Sequence, residues 1–358
     1  MSKSSRWPAR IAVAAALGIG AAWAAHAQES IVVASYGGLY QDTQREAFFK
    51  PFTEATGIKV IEASGISVAK VRSMVQTGNV EWDVFITSTS DFAQLVKANL
   101  LEPIDYSKFD PKLLEQLDET AKKSHVLGTQ WTSQVLAFST KAFPGGKHPK
   151  NWVDAWDVKA FPGPRILTAG NYAVNPIEVA LLSTGEGKDK VYPLNLDKAY
   201  AQLEKIRPNV VRWVNSGSAV SQALVDGEAV IGYTNSQRVQ QLKDGGAPID
   251  FVWNDGVISM TYWAVPRGAK NKQAAMKFLE FVSRPEQQAA IAKSSIGPVN
   301  KAAFALLSKE EVARLPSAPE NRKVQLELQP DEWLKPGARG RTIYDENIAR
   351  WLSFSVKR

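Results

Sequence analysis

Apolar and polar residues follow one another along the chain in blocks that have the length of strands and helices. Residues 31–34 are apolar, two glycines follow soon after, and Phe48 and Phe52 then lie four apart, as on one face of a helix. Gly57 stands where such a helix would end, and residues 58–61 form the next apolar run. This order predicts a strand, a crossover helix and a second strand, and hence a parallel sheet.

The alternation continues through the rest of the chain, without an internal repeat or a low-complexity stretch. Two stretches, 130–138 and 253–261, are predicted to cross between two lobes. The order of elements is typical of an α/β protein. The further predicted strands are 82–86, 165–168, 210–213, 229–233, 249–253 and 260–265, and the predicted helices include 196–206, 220–226, 235–243, 271–282, 285–293 and 343–352.

The first residues have the pattern of an export signal. Three basic residues precede an apolar run at 11–25, and Ala25-His26-Ala27 is a small-x-small cleavage site. The run is shorter than the roughly 20 residues that a membrane-spanning helix needs. Residues 1–27 are therefore predicted to be a signal peptide that is cleaved before Gln28 and directs the chain to a periplasm.

Composition narrows the class of protein further. Cysteine is absent, so we expect neither a disulfide nor a lipid anchor on a mature N-terminal cysteine, and a freely diffusing monomer. Removing residues 1–27 takes away three basic residues and no acid, which lowers the net charge from +7 to +4 (7 − 3). The remaining basic residues are scattered, whereas nucleic-acid binding favours a clustered stripe, so we expect no nucleic-acid partner. The 331 residues that remain (358 − 27) suffice for two lobes.

Residues 28–358 contain none of the sequence patterns that a catalytic or metal site needs. His125 and His148 are their only histidines, and no His-x-x-x-His spacing exists. A Gly-x-Ser-x-Gly nucleophile motif and a phosphate-binding loop are also missing. We therefore expect a protein without a cofactor, a bound metal or an enzymatic activity, with a secreted enzyme on the same scaffold as the alternative.

The carboxyl ends of the predicted strands supply candidate ligand contacts, because ligands of parallel sheets bind just beyond those ends. Tyr36, Gly37 and Gly38 follow the first strand, although a plain turn explains the two glycines equally well. Ser88 follows a later strand, where its hydroxyl either contacts a ligand or caps the next helix. Asp91 is the better candidate for that cap, which favours ligand contact for Ser88.

Several short motifs, taken together, resemble a known family. In chain order they are Tyr36-Gly37-Gly38, Trp82-Asp83-Val84 with Ser88, residues 100–105, residues 149–156, Asp226-Gly227-Glu228, Ala264-Val265-Pro266 with residues 269–272, residues 281–285 and Ile296-Gly297-Pro298. Their order and spacing resemble the periplasmic solute-binding proteins of ABC importers, most nearly the branch that binds spermidine and putrescine. The resemblance implies a type II-like fold with two α/β lobes, crossing hinge strands, a ligand cleft between the lobes and a membrane permease as partner.

The resemblance also implies a set of ligand contacts. Polyamine binders of this branch hold ammonium groups with acids, but by alignment those acid positions fall at Asn171, Asn175 and Thr261. Because a buried cation without a carboxylate is costly, this departure predicts a solute with at most one strong positive charge rather than a triamine. The aromatic residues that would line the solute are Tyr36, Trp131, Tyr172, Tyr233 and, one strand position off, Trp263.

Two arginines are candidates for holding a negative charge on the same solute. Arg212 and Arg238 follow strand ends in the predicted second lobe, and a guanidinium there can hold a carboxylate through two parallel hydrogen bonds. A solvated surface arginine is the alternative for each of them.

The sequence thus predicts the parts of the chain and their joint function. Residues 1–27 form the signal peptide, 28–135 with 260–308 the first lobe, 136–259 the second lobe, and 309–358 a helical segment packed over the lobes. The resemblance implies the function of the periplasmic component of an ABC transporter. It captures a small polar amine, polyamine-like or amino-acid-like, and delivers it to the permease. A ligand-sensing partner of a receptor is a further alternative.

Overall fold

The computed structural model describes residues 28–337 and 340–356, and the predicted signal peptide lies outside them. In these residues ten strands form one sheet. The strands are β1 Ser30–Ala34, β2 Lys59–Ala63, β3 Val84–Ser88, β4 Val126–Ser139, β5 Arg165–Thr168, β6 Val210–Val214, β7 Ile231–Asn235, β8 Ile249–Ala264, β9 Gly297–Pro298 and β10 Leu326–Glu327. Their order is β2-β1-β3-β8-β4-β7-β5-β6, with β10 paired to β8 and β9 paired to β4.

Helices cover both faces of this sheet and follow most of the strands in sequence. They are α1 Gly38–Gln44, α2 Lys50–Thr56, α3 Val68–Thr77, α4 Thr89–Lys97, α5 Pro111–Gln116, α6 Trp152–Trp156, α7 Ile177–Leu182, α8 Leu196–Ile206, α9 Gly217–Val225, α10 Ser236–Asp244, α11 Lys272–Val282, α12 Pro285–Ala292, α13 Lys309–Ala313, α14 Pro319–Arg322, α15 Pro330–Leu334 and α16 Ile343–Ser355. A π-helical turn, Arg45–Phe49, joins α1 to α2.

Two long strands run through both halves of the molecule. β4 and β8 pair in antiparallel register from Val126↔Ala264 to Ser139↔Ile249. The predicted strands 249–253 and 260–265 are therefore one continuous strand, and their separation was wrong. The polar residues between them form an irregularity, at which Asp255 has a left-handed φ of 57°. The predicted crossings at 130–138 and 253–261 lie on these two strands.

The sheet is mixed rather than wholly parallel. β1 pairs in parallel with β2 and β3, and β5 pairs in parallel with β6 and β7, as the strand-helix-strand pattern predicts. The two crossing strands are antiparallel to each other and to β3 and β7, whereas the short β10 pairs with β8 in parallel. The expectation of a parallel sheet thus holds inside each lobe and fails where the lobes join.

Two groups of buried apolar side chains pack on opposite sides of this junction. In the first, the Phe278 ring meets the Phe52 and Trp263 rings edge-on, at centroid distances of 5.2 and 5.5 Å. In the second, the Trp152 and Tyr233 rings meet edge-on at 5.4 Å. We propose that the first core marks lobe I, residues 28–135 and 260–308, and the second marks lobe II, residues 136–259.

The C-terminal segment touches both lobes. The Trp351 and Phe354 rings of α16 meet Trp213 of lobe II at 5.3 and 5.4 Å. Arg322 pairs with Asp118 of lobe I at 2.5 Å, and α15 packs against α4. These contacts support the proposal that residues 309–358 pack over the two lobes.

Asp83 joins two of the sequence motifs in the core of lobe I. Its buried carboxylate accepts hydrogen bonds from Val32 N at 2.9 Å, from Asn271 N at 2.9 Å and from Asn271 Nδ2 at 3.1 Å. A buried carboxylate needs such donors, because an unpaired charge away from water is costly. Asp83 therefore fixes the start of α11 against β1, although the two lie far apart in sequence.

Candidate functional site

The cleft between the lobes contains two chambers that share Gln134 and Val174. We call the first the acidic chamber, because Asp91 and Glu178 line it; its volume is about 380 Å³. It is built from the start of α4 in lobe I, the loop before α7 in lobe II, and the C-terminal segment. Its walls include Ser88, Asp91, Gln94, Asn171, Asn175, Glu178, Tyr233, Trp333 and Tyr344.

Ser88 and Asp91 form one hydrogen-bonded unit at the start of α4. The helix begins at Thr89, and Ser88 is its N-cap: the Ser88 hydroxyl accepts from Asp91 N at 3.1 Å. The prediction that Asp91 caps this helix was therefore wrong, because the helix begins three residues earlier than the pattern predicts. Burial raises the pKa of the half-buried Asp91 carboxyl, and its hydrogen bond with Ser88 lowers it. Asp91 thus supplies a carboxylate to the cleft from lobe I.

Glu178 supplies the second carboxyl group of this chamber, from lobe II. It lies in α7 among apolar residues and is only 2% exposed. Glu178 Oε1 accepts from Trp333 Nε1 at 2.9 Å and from the Tyr192 hydroxyl at 3.4 Å. Burial raises the pKa of Glu178 to about 7, against the lowering effect of these hydrogen bonds.

The second chamber, which we call the Arg238 chamber, has a volume of about 350 Å³. Tyr36 and Tyr40 face it from lobe I, and Tyr172 and Arg238 face it from lobe II. The Tyr36 and Tyr40 rings are tilted against each other at 5.6 Å, and Tyr36 is 48% exposed. In the described part of the chain the Arg238 guanidinium makes no ion pair, so its charge faces the cleft without a protein counter-ion.

Backbone and hydroxyl donors surround Arg238 in this chamber. Ser216 caps α9 and Asn235 caps α10, and both residues line the chamber, so two helix N-termini meet it. Helix N-termini favour an anion through their N–H groups and their dipoles. Thr168 also lines the chamber, is 1% exposed, and its Oγ1 has no hydrogen-bond partner among the described residues. Arg238, two helix N-termini and a buried hydroxyl together form a site suited to a carboxylate.

Seven of the predicted ligand residues border the two chambers. The acidic chamber is lined by Ser88, Asn171, Asn175 and Tyr233, and the Arg238 chamber by Tyr36, Tyr172 and Arg238. Asn175 also has a local role, because its Oδ1 accepts from Ile177 N at 3.1 Å at the start of α7. Direct contact of any of these side chains with a solute remains a proposal.

Two predicted aromatic contacts lie in the core of lobe I instead. Trp131 is 2% exposed, and the Arg322 guanidinium lies 4.2 Å from its ring. Trp263 is fully buried and packs on Phe278. Trp131 pairs with Met260, and Trp263 lies three positions further along β8, so the two side chains face opposite sides of the sheet. Neither residue is among those that line the two chambers, and their contact with a solute stays a prediction.

The remaining predicted ligand residues, Gly37, Gly38 and Thr261, make contacts within the protein. Gly37 and Gly38 have left-handed φ values of 77° and 56° and begin α1, and Gly37 N donates to Gln41 Oε1 at 3.1 Å. This geometry is that of the turn alternative. Thr261 is a neighbour of Tyr40, with 3.5 Å between their hydroxyl oxygens.

Arg212 is engaged elsewhere on the surface. It forms an ion pair with Glu228 at 2.7 Å, and both side chains are largely exposed. Of the two arginines that the sequence offered, only Arg238 faces a cleft chamber.

Sequence reasoning missed Asp91, Glu178 and Thr168 as parts of the site. A signal for Glu178 was present: it is the single charged residue in the otherwise apolar α7 sequence IEVALL. An acid on a buried helix needs a partner or a function. Thr168 lies at the carboxyl end of β5, where the parallel-sheet rule places ligand contacts. Asp91 was noticed, but only as a cap.

Two kinds of feature were looked for in the described residues, namely metal-binding groups and membrane-spanning helices. No group of three or more His, Cys, Asp or Glu side chains there could hold a metal ion. Within residues 28–337 and 340–356, no helix is long and apolar enough to cross a membrane.

The lobes, the crossing strands and the cleft define a two-lobed periplasmic binding protein fold, as the sequence predicts. The chain matches the bacterial extracellular solute-binding protein family over residues 47–320 and belongs to that family. It is 33% identical to the gamma-aminobutyric acid-binding protein of Pseudomonas aeruginosa, over 89% of this chain and 91% of that protein. It is 26% identical to the spermidine/putrescine-binding periplasmic protein of Escherichia coli, over 95% and 97%. An ABC transporter substrate-binding protein from Bradyrhizobium japonicum superposes with a TM-score of 0.84 at 32% identity, over 91% of this chain and 99% of that one.

Membership gives the general role of the chain. Proteins of this family bind a small solute and deliver it to an ABC permease, and the family implies a periplasmic location. The relatives named above are binding proteins of transporters. The predicted class of function is thereby confirmed.

Proposed function

We propose that the solute is a small zwitterion, with a primary ammonium group at one end and a carboxylate at the other. The observation that carries this proposal is the opposite charge of two chambers in one cleft. Asp91 and Glu178 line one chamber and Arg238 lines the other, and Gln134 and Val174 belong to both. A solute that spans the shared wall places each of its charges beside an opposite one.

The anionic end of the solute fits the Arg238 chamber. A carboxylate there pairs with the Arg238 guanidinium and lies at the positive ends of the α9 and α10 dipoles. The buried Thr168 hydroxyl gains the partner that it otherwise lacks. A polyamine offers no acceptor to any of these donors and brings a second positive charge toward Arg238. The same cleft therefore disfavours putrescine and spermidine.

The cationic end fits the acidic chamber, which combines carboxyl groups with an apolar wall. Tyr233 and Trp333 line this chamber beside Val257 and Leu328, so a short aliphatic stem has apolar surface to cover. Aromatic faces add a cation–π attraction of about 0.5–2 kcal/mol to an ammonium group. The similarity to a gamma-aminobutyric acid-binding protein supports this choice of solute. We propose that the protein binds its solute without catalysing a reaction.

Titration calorimetry with three related probes tests this function. We expect γ-aminobutyrate to bind at least tenfold more tightly than putrescine, which lacks the carboxylate, and than butyrate, which lacks the amine. Putrescine cannot make the contact with Arg238, and butyrate cannot make the contact with the acidic chamber. A hydrogen bond to a charged group contributes about 1.5–3 kcal/mol to binding. Putrescine binding as tightly as γ-aminobutyrate would contradict the anion site, and butyrate binding as tightly would contradict the cation site.

We further propose that residues 1–27 are a cleaved export signal and that the mature protein is a monomer. The support is the Ala25-His26-Ala27 motif in the sequence. When the full gene is expressed in a Gram-negative host, periplasmic extracts are expected to contain a chain that starts at Gln28. N-terminal sequencing checks the start, and light scattering checks the mass. A periplasmic protein that keeps residue 1, or a stable dimer, would contradict the respective part.

A further inference from the structure

The surroundings of Glu178 are unfavourable for an ionised carboxylate that has no cationic partner. It is 2% exposed and lines the acidic chamber from a helix whose other residues are apolar. Its hydrogen bonds come from the neutral donors Trp333 and Tyr192. Among the residues that the structure describes, no lysine, arginine or histidine forms an ion pair with it. A buried carboxylate without a cation is costly, so either a proton or a ligand has to neutralise it.

The groups that surround Glu178 leave the bound solute as the available cation. Trp333 of α15 and Tyr192 donate to it, and the nearby Tyr233 of β7 is a neutral phenol whose pKa burial and the Glu178 charge raise. The other titratable side chains of the chamber are Asp91 of α4 and Tyr344 of α16, neither of which carries a positive charge. The chamber walls thus bring no positive charge to this carboxyl group.

We infer that Glu178 is the counter-ion of the solute's ammonium group, and that binding of the solute expels a proton from Glu178 to the solvent. This inference rests on the proposed function and deepens it. In the empty protein Glu178 is a carboxylic acid for part of the time near neutral pH, in accord with its raised pKa. The ammonium group keeps all of its own protons and stabilises the ionised form, so the proton that leaves comes from the protein.

The consequence is a pH-dependent affinity with a defined sign. Below about pH 7 the incoming cation has to displace a proton, whereas above it the carboxylate is already ionised. With a pKa near 7 in the empty protein and well below 6 in the complex, the dissociation constant rises about tenfold from pH 8 to pH 6. The probe, γ-aminobutyrate, does not itself titrate in this range.

Calorimetry of residues 28–358 with γ-aminobutyrate measures the proton directly. At pH 7 we expect the apparent heat to differ between phosphate and Tris buffers, by an amount that corresponds to release of about half a proton per solute bound. In Glu178→Gln this buffer dependence is expected to vanish, the affinity to fall and its change between pH 6 and pH 8 to disappear. Glu228→Gln, which alters an exposed carboxylate paired with Arg212, is the matched control and should behave as the wild type.

A second variant separates this role from a purely structural one. Trp333→Phe removes the N–H donor that helps to hold the ionised form, so the pKa of Glu178 rises and the pH profile of the affinity moves to higher pH. A structural role alone predicts a lower thermal stability and an unmoved profile.

These measurements distinguish a wrong solute from a wrong role of Glu178. If γ-aminobutyrate gives no heat and no thermal stabilisation, the proposed function is wrong and the role of Glu178 falls with it. If γ-aminobutyrate binds the wild type without proton release, or binds Glu178→Gln with the same affinity and the same buffer dependence, the inference about Glu178 alone is overturned.

Discussion

Replacing Arg238 by glutamine is expected to weaken the binding of γ-aminobutyrate about 100-fold, or about 2.7 kcal/mol. Arg238 is the cationic side chain on the walls of its chamber, and glutamine keeps a donor but loses the charge and the paired geometry. Titration calorimetry at one pH and one salt concentration gives the ratio. The change should be smaller in high salt, because the Arg238 side chain is exposed to solvent.

The controls for Arg238 come from the same lobe and from a second probe. Arg212→Gln removes an arginine that already pairs with Glu228, so it should leave the affinity unchanged. Arg238→Gln should not weaken any residual binding of putrescine, because that solute has no carboxylate to lose. An equal loss of affinity for both probes would show that Arg238 supports the shape of the cleft rather than an anion.

Without a solute, the free energy of unfolding should decrease as the pH rises from about 4.5 to about 8. We expect this decrease to be about 3 kcal/mol larger in the wild type than in Glu178→Gln. Burial raises the pKa of Glu178 from 4.5 to about 7, so the folded state holds a proton that the unfolded state has lost. This contribution is fully present below the unfolded pKa and is lost as the pH rises through about 7. A glutamine at position 178 does not titrate, so the variant has no such pH-dependent loss of stability.

Urea unfolding of both proteins near pH 4.5 and near pH 8, without a solute, measures this difference. Other carboxyl groups contribute equally to the two proteins and cancel in the comparison. Glu228→Gln should follow the wild-type curve at both pH values, apart from a small constant shift. A difference between wild type and Glu178→Gln that does not depend on pH would contradict a buried, titrating carboxyl group.

Local patterns predicted the helices and strands of this chain well. The predicted helix 196–206 matches α8, because Leu196, Ala199 and Leu203 recur at helical spacing on its buried face and Asn195 caps its first turn. The junction between the lobes was harder to predict. Residues 254–259 were predicted to separate two strands, but they belong to β8, which pairs with β4 on both sides of an irregularity. Such pairing is set by residues far away in sequence.

The site was predicted less completely than the fold, for two physical reasons. Trp263 lies on the same strand face as Thr261 but two positions further along β8, where Phe278 of α11 packs on it, and no local pattern predicts where along a strand the cleft ends. Charged groups acquire their role only from surroundings that folding brings together. The importance of Glu178 follows from Trp333 and Tyr192, which are 155 and 14 residues away.

The junction between the lobes is a hydrogen-bonded ribbon of β4 and β8, and this has a mechanical consequence. We expect closure of the lobes to flex these two paired strands. Little conformational entropy is then lost in ordering the hinge, and more of the contact energy appears as affinity. The pairing of β4 with β8 is irregular at two places, between Gly128 and Gln130 and between Gln134 and Leu136, and we expect the ribbon to bend at the second. Gln134 lies on both chambers. A bend at this point therefore changes the distance between the two charged ends of the cleft. Gln134 would both take part in the hinge motion and set the length of solute that fits.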